Sequence, residues 1–187
     1  KNEVLLLPVS NDASSIKIIS QVKVFPKENT SLEGLYESNQ MFCTQCEPEG
    51  FRKITWFTDR PDCLAIFKVR IEASKRYSTM LSNGNLIEEG IVTDKGINSE
   101  RHFKIWSDPF PKPSYLFALV VGNLELFESS FTTSSNKNIK LQIFTEIGNK
   151  HLTLHAMKSL KKAMAWDEDN YGLEYDLKVF MIVAVSH

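Results

Sequence analysis

Cysteine is scarce in this chain, with three among 187 residues. So small and odd a number builds no disulfide framework, and a reducing compartment, the cytoplasm, is the expected home. Long apolar runs are missing too, and nothing approaches the ~20 residues that a membrane-crossing helix requires. The opening KNEVLLLPVSND has an apolar run too short for the core of a secretory signal, and no small-residue cleavage site follows it. Charge of one sign is not in excess either: 22 basic against 23 acidic residues leave a formal net charge of −1. A nucleic-acid binder normally shows a basic surplus or stripe, so neither nucleic acid nor membrane is expected as a partner. A phosphate loop and a Ser/His/Asp arrangement are also absent. The chain opens on Lys1 rather than on Met, which suggests an internal piece of a longer protein.

What is present is ordinary globular material, 42% hydrophobic and 11% aromatic. That suffices for one sizeable core, or for one domain and part of another. Glu3–Val9 and Ile16–Phe25 are rich in Val and Ile and partly alternating, which predicts strands. Gly34–Gln45 reads as a hairpin with residues 37–40 at its tip, and TDRPDC, residues 58–63, as a turn. Leu64–Ala73 is the clearest strand, with Phe67, Val69, Ile71 and Ala73 on the core face. Asn83-Gly84 predicts a tight hairpin between Met80 and Asn85, and residues 93–100 a further turn. Arg101–Trp106 is a short strand, and the three prolines of DPFPKP, residues 108–113, should keep it out of a central ladder. The continuous run Ser114–Val121 predicts a strand buried on both faces. Phe127–Thr133 and Asn138–Phe144 form another expected hairpin.

The period then changes. From Lys150 to Trp166, Leu152, Ala156, Met157, Leu160, Ala163 and Met164 recur at helical spacing, with Gly172 as the stop. Val179–Val185 is an expected buried strand, cut off two residues from the end. About a dozen strands and one late helix make a mainly β class. The expected division is a β domain of antiparallel hairpins over 1–124, then the α+β start of a second unit over 125–187.

Candidate chemistry concentrates in Met41–Phe57, MFCTQCEPEGFRKITWF, where two cysteines, nearby carboxylates, a Pro and a Gly precede a β-type apolar run. Cys43 and Cys46 form a CxxC, but no second CxxC or HxxxH lies at a zinc-site distance. If 43–46 is extended, its ends are ~10 Å apart, beyond the ~7 Å that a disulfide permits. Two free thiols packed on opposite faces are the favoured reading. His151 and His155 have the i, i+4 spacing of a zinc protease, but Leu152 stands where that motif needs a Glu, so no metal site is expected. Gln45 and Glu47 remain. Two apart on a strand, they would face one side and offer an amide oxygen and a carboxylate to a cationic group. A solvated polar edge strand accounts for the pair equally well.

The same residues carry a resemblance. TSLEGLYESNQMFCTQCEPEGFRKITWFTDRPD, MLSNGNLIEEG, DPFPKPSYLFALVVGNL, MAWDEDNYGLEYDL and MIVAVS, in that order, resemble the aminopeptidase N family, and within it the bacterial alanyl branch of the gluzincin metallopeptidases. The likeness runs from about Thr30 to the end. It implies a saddle-like N-terminal β domain followed by the beginning of a thermolysin-like catalytic domain. It further implies that Gln45 and Glu47 line the S1 side of the active site, with Glu47 helping to hold the α-amine of a peptide substrate. In the family, MIVAVS leads on to a second amine-binding segment and to HExxH with a distant Glu ligand; none of these lies in this chain. The expected function is therefore the N-terminal portion of a zinc aminopeptidase, with Zn2+ in the full-length protein and none bound here. No catalytic residue and no metal ligand are expected in this chain. Its partners would be peptides with a free N-terminus and the remainder of its own catalytic domain. An autonomous β-sandwich binding module without enzymatic activity is the alternative.

Overall fold

The structure is a computed structural model that describes residues 5–8, 12–93 and 100–184. Ten strands and one α-helix lie among them, arranged in three sheets. The first sheet contains β1 (Gly34–Ser38), β2 (Met41–Gln45), β7 (Leu119–Gly122) and β4 (Thr79–Ser82), in that spatial order and antiparallel throughout. The second has β6 (Arg101–Pro113) between β3 (Leu64–Ser74) and β5 (Asn85–Ile91). In the third, β9 (Asn138–Thr145) pairs antiparallel with β8 (Glu125–Thr132) and parallel with β10 (Val179–Ala184). Between β9 and β10 runs α1 (Leu154–Tyr171), a long enough crossover for a parallel pair.

Period-2 patterning explains how the sheets share their cores. On β3, Phe67, Val69, Ile71 and Ala73 point inward while their neighbours are exposed. On β9, Ile139, Leu141 and Ile143 face Met157 and Met164 of α1. Phe144, one residue on, turns to the opposite face and joins Ile71, Met80, Leu81, Trp106 and Val121. The main core therefore crosses residue 124, since Leu126, Met181 and Val183 also pack against it. Trp106 sits in this core and donates its indole N–H to the Met80 carbonyl oxygen at 3.2 Å, tying the second sheet to the first.

The structure departs from the sequence expectations at several places. Ile16–Phe25 forms no strand, and Ile16, Ile18 and Ile19 are exposed. Alternation makes a segment competent for a ladder, but a strand needs an edge to pair with, and this one pairs with none among the described residues. Leu5–Pro8 is likewise not a strand; the rest of the first expected strand, and most of the turn at 93–100, lie outside the described residues. Residues 54–57 of the apolar run after Phe51 are also not a strand.

Asn83-Gly84 closes no hairpin. β4 pairs with β7 and β5 with β6, so this turn passes the chain from one sheet to another. Asn83 anchors it by donating to the Leu116 carbonyl oxygen at 3.0 Å and accepting the Ala118 N–H at 2.7 Å.

DPFPKP does extend β6, but outside a central ladder, as expected. β6 is central only through Ser107, where β5 begins to pair; beyond it β3 is the sole neighbour. The register slips between Ala65 and Phe67, opposite Pro109 and Pro111, so their missing N–H donors fall in an irregular edge.

Of Ser114–Val121, only the end is extended. Ser114–Leu116 makes a 3-10 turn, because Pro113 has already ended the ladder. Leu152 precedes α1 and is exposed, as are Ala156 and Ala163; only Met157, Leu160 and Met164 face the sheet. Three residues form a narrow stripe, as befits a helix packed on one side of a three-stranded sheet. Gly172 ends it as expected, at φ 63° and with its N–H on the Glu168 carbonyl oxygen. β10 is half-buried rather than buried, since it is an edge strand with a neighbour on one side only.

Candidate functional site

β1 and β2 are joined by Asn39-Gln40, both at positive φ, the geometry of a tight hairpin. Thr44 near the far end of β2 accepts the Leu119 N–H at 2.9 Å, and this fixes the strand's end against β7. The ladder stops at Gln45. Glu47 therefore lies not on a strand, as strand alternation required, but in the turn 47–50, and the Glu47–Pro48 peptide is cis. Pro48 supplies no N–H to a ladder, which is reason enough for the strand to end before it.

The two candidates nevertheless end up side by side. Gln45 and Glu47 are both exposed and Cys46 between them is buried, 3% accessible. The Gln45 amide nitrogen donates to the Glu47 carbonyl oxygen at 3.4 Å, which leaves the amide oxygen as an acceptor. The Glu47 carboxylate has no hydrogen-bond or ion-pair partner among the described residues. Together they offer two acceptors on one open surface. Cavities of about 510 and 290 Å³ elsewhere in the fold are lined by other residues.

Cys43 and Cys46 are buried free thiols. Burial pushes both up, Cys46 to about 11 with a further contribution from the nearby Asp59 charge. A thiol pushed up in this way is a poor nucleophile at neutral pH. His151 rests its Nδ1 3.0 Å from the Gly148 carbonyl oxygen, and the His155 Nε2 lies 3.4 Å from the Ser159 hydroxyl. No group of three or more His, Cys, Asp or Glu among the described residues could hold a metal ion.

Beyond the turn lies a network that the sequence did not single out. Asp59 is buried, its side chain 3% accessible. Its carboxylate accepts the Arg52 backbone N–H and the Arg52 Nε–H, each at 3.0 Å, and the Ser114 hydroxyl. Arg52 also donates from Nη2 to the Asp59 carbonyl oxygen at 2.7 Å and pairs with Glu49 at 3.3 Å. Alongside, the Phe51 ring meets Phe57, Phe117 and Phe67 edge-on at 5.0, 5.1 and 5.9 Å. No local pattern marks Asp59 and Ser114, which are 55 residues apart; only a carboxylate inside the apolar-flanked TDRPD hinted at a buried charge.

Burial by itself would raise the Asp59 carboxyl, but the hydrogen bonds from Ser114 and Arg52 and the Arg52 charge outweigh it and hold it low. A depressed carboxylate contributes stability that is complete above its unfolded pKa, ~3.9, and disappears as pH falls through the lower folded value. Asp59→Asn is accordingly expected to lose about 2–3 kcal/mol at neutral pH. In urea melts the gap from the parent chain should stay constant above about pH 5 and shrink below about pH 4. A gap that widens in acid would contradict this assignment.

Residues 6–116 match the model of the peptidase M1 N-terminal domain. The chain belongs to the M1 peptidase family. It is 50% identical over 178 residues to aminopeptidase N of Haemophilus influenzae, covering 95% of this chain and 20% of that protein. It is 47% identical over 189 residues to aminopeptidase N of Escherichia coli, covering all of this chain and 21% of that protein. It also resembles a crystal structure of Legionella pneumophila aminopeptidase A in complex with aspartic acid, with a TM-score of 0.77 and 39% identity. That likeness covers 83% of this chain and 18% of the other. The chain thus spans about a fifth of the length of the curated relatives it matches. Its mainly β, antiparallel architecture is that of an M1 N-terminal domain.

Proposed function

We propose that this chain is the N-terminal portion of a zinc-dependent aminopeptidase that removes N-terminal residues from peptides. In this reading Gln45 and Glu47 supply the S1-side contacts to the substrate's α-amine. Membership of the M1 family supports the activity. The observation that carries the reading is that Gln45, at the end of β2, bonds the Glu47 backbone while both side chains are exposed and the Glu47 carboxylate has no hydrogen-bond or ion-pair partner among the described residues. An α-amine of pKa about 8 is largely cationic at neutral pH, and two acceptors suit it without a proton transfer. Nothing comparable favours an autonomous binding module.

Zinc would polarise the scissile carbonyl and activate water in the full-length protein. The residues present here do not fit such a site: the two histidines are exposed and engaged with Gly148 and Ser159, and no group of three or more His, Cys, Asp or Glu among the described residues could hold a metal ion. We therefore assign this chain substrate binding and scaffolding, with no catalytic step of its own. Its partners are peptides with a free N-terminus and the remainder of the catalytic domain. We place the division near residue 124, because the third sheet is built wholly from residues 125–184 and has a core of its own with α1. The three unpaired cysteines favour the cytoplasm. No helix among the described residues is long and apolar enough to cross a membrane.

The test is Glu47→Ala in the full-length enzyme. Losing one charge-assisted contact should reduce kcat/KM on an alanyl substrate by ~1–3 kcal/mol, mainly through KM. Unchanged kinetics would remove Glu47 from the site.

A further inference from the structure

We propose that Asp59 is a positioning residue for substrate binding: through Arg52 and Ser114 it fixes the turn that presents Glu47. The inference rests on the reading of Gln45 and Glu47 as amine acceptors.

Glu47 depends on its backbone for its aim, since its carboxylate has no hydrogen-bond or ion-pair partner among the described residues. The turn beneath it is held at several points, and these lead to Asp59. Arg52, at the foot of the turn, gives its backbone N–H and its Nε–H to the Asp59 carboxylate and its Nη2–H to the Asp59 carbonyl. The remaining arm of the same guanidinium reaches back to Glu49 inside the turn. Cys46, the residue before Glu47, is buried near enough to Asp59 to feel its charge. Asp59 thus holds the chain just beyond the turn that carries Glu47. Ser114, at the junction of β6 and β7, gives the carboxylate a third donor and anchors the assembly to the sheets.

A buried carboxylate is an expensive way to brace a surface turn, because it must be fully hydrogen-bonded to be tolerated. The aromatic cluster around Phe51 already sets how deep the turn sits. The polar network adds direction, which apolar contacts do not specify. Binding groups work when held within about 0.5 Å of the productive geometry. Direction is what an ammonium acceptor needs.

A double-mutant cycle on the full-length enzyme separates this role from a merely stabilising one. Asp59→Ala should raise KM for an alanyl substrate about tenfold with kcat per folded active site little changed, short of the hundredfold that a ~1 Å misplacement can produce. With Glu47→Ala already present, Asp59→Ala should raise KM no further. Effects that multiply, or a KM unchanged per folded active site, would overturn the inference while leaving Glu47 in place. If Glu47→Ala alone leaves KM unchanged, the amine-binding reading fails and this inference falls with it. Should Asp59→Ala fold poorly, Ser114→Ala and Asp59→Asn carry the same cycle, with the same two outcomes deciding it.

Discussion

Gly84→Ala is expected to remove about 3–5 kcal/mol of folding stability, a large fraction of the ~5–15 kcal/mol that holds a domain together. Gly84 has φ +88°, a region in which an L side chain is strained by ~1–2 kcal/mol. The larger part is steric. A Cβ here would overlap the Ser107 carbonyl oxygen and lie 2.6 Å from the Asp108 nitrogen, both backbone atoms of β6. Neither can swing aside as a side chain could. The turn passes the chain from the first sheet to the second, so a shift pulls β4 against β7 or β5 against β6. Urea or thermal melts check this. Gly84→Asn makes the argument specific, because Asn tolerates positive φ but keeps the Cβ clash, and it should be nearly as damaging. A Gly84→Ala melt within about 1 kcal/mol of the parent would show that the close approach is not there.

This turn also shows how far the sequence could be read. Asn83-Gly84 announced a hairpin, and what is there is a bend between two sheets. That it joins two sheets depends on which strands β4 and β5 choose as neighbours, and the partners, β7 and β6, lie well beyond the turn itself. The same limit applies to Ile16–Phe25, whose alternation signals a strand but not a partner. Where the neighbour is local, reading was easier: the β8–β9 hairpin and α1 followed directly from periodicity. The prolines of DPFPKP excluded a central ladder but could not show that β6 continues as an edge strand after Ser107.

The site was legible in its chemistry and not in its mechanics. Gln45 and Glu47 could be picked out as acceptors near one another, yet the reason given, strand alternation, does not apply to Glu47. Glu47 instead lies in a turn that leads into the network of Arg52, Asp59 and Ser114, residues with no common sequence pattern. Cys43 and Cys46, the more conspicuous pair, are buried thiols.

Gly50→Ala should have the largest effect on the site itself. Gly50 is in the αR region at φ −81°, ψ −23°, so its backbone would accept alanine without strain. Space is the obstacle. A Cβ would overlap the Gln45 carbonyl oxygen and stand 2.9 Å from the Cys46 Cα and 3.1 Å from the Gly34 nitrogen. All three are backbone, and two belong to the segment that carries the acceptors. Relief requires the turn to open away from β2, which also strains the Gly50 N–H bond to the Cys46 carbonyl oxygen at 2.8 Å. Overpacking of this kind is expected to remove about 2–3 kcal/mol of stability. The kinetic effect should be larger in proportion, because displacing Gln45 and Cys46 moves Glu47 as well. A shift approaching ~1 Å corresponds to about a hundredfold loss in kcat/KM on an alanyl substrate, near the upper end of what Glu47→Ala alone removes. Measuring melts and kinetics on the same full-length variant separates the two. A Gly50→Ala enzyme that is destabilised as expected but retains its parent kcat/KM would mean that the turn's geometry does not matter to the substrate. Glu47 would then have no claim to the amine.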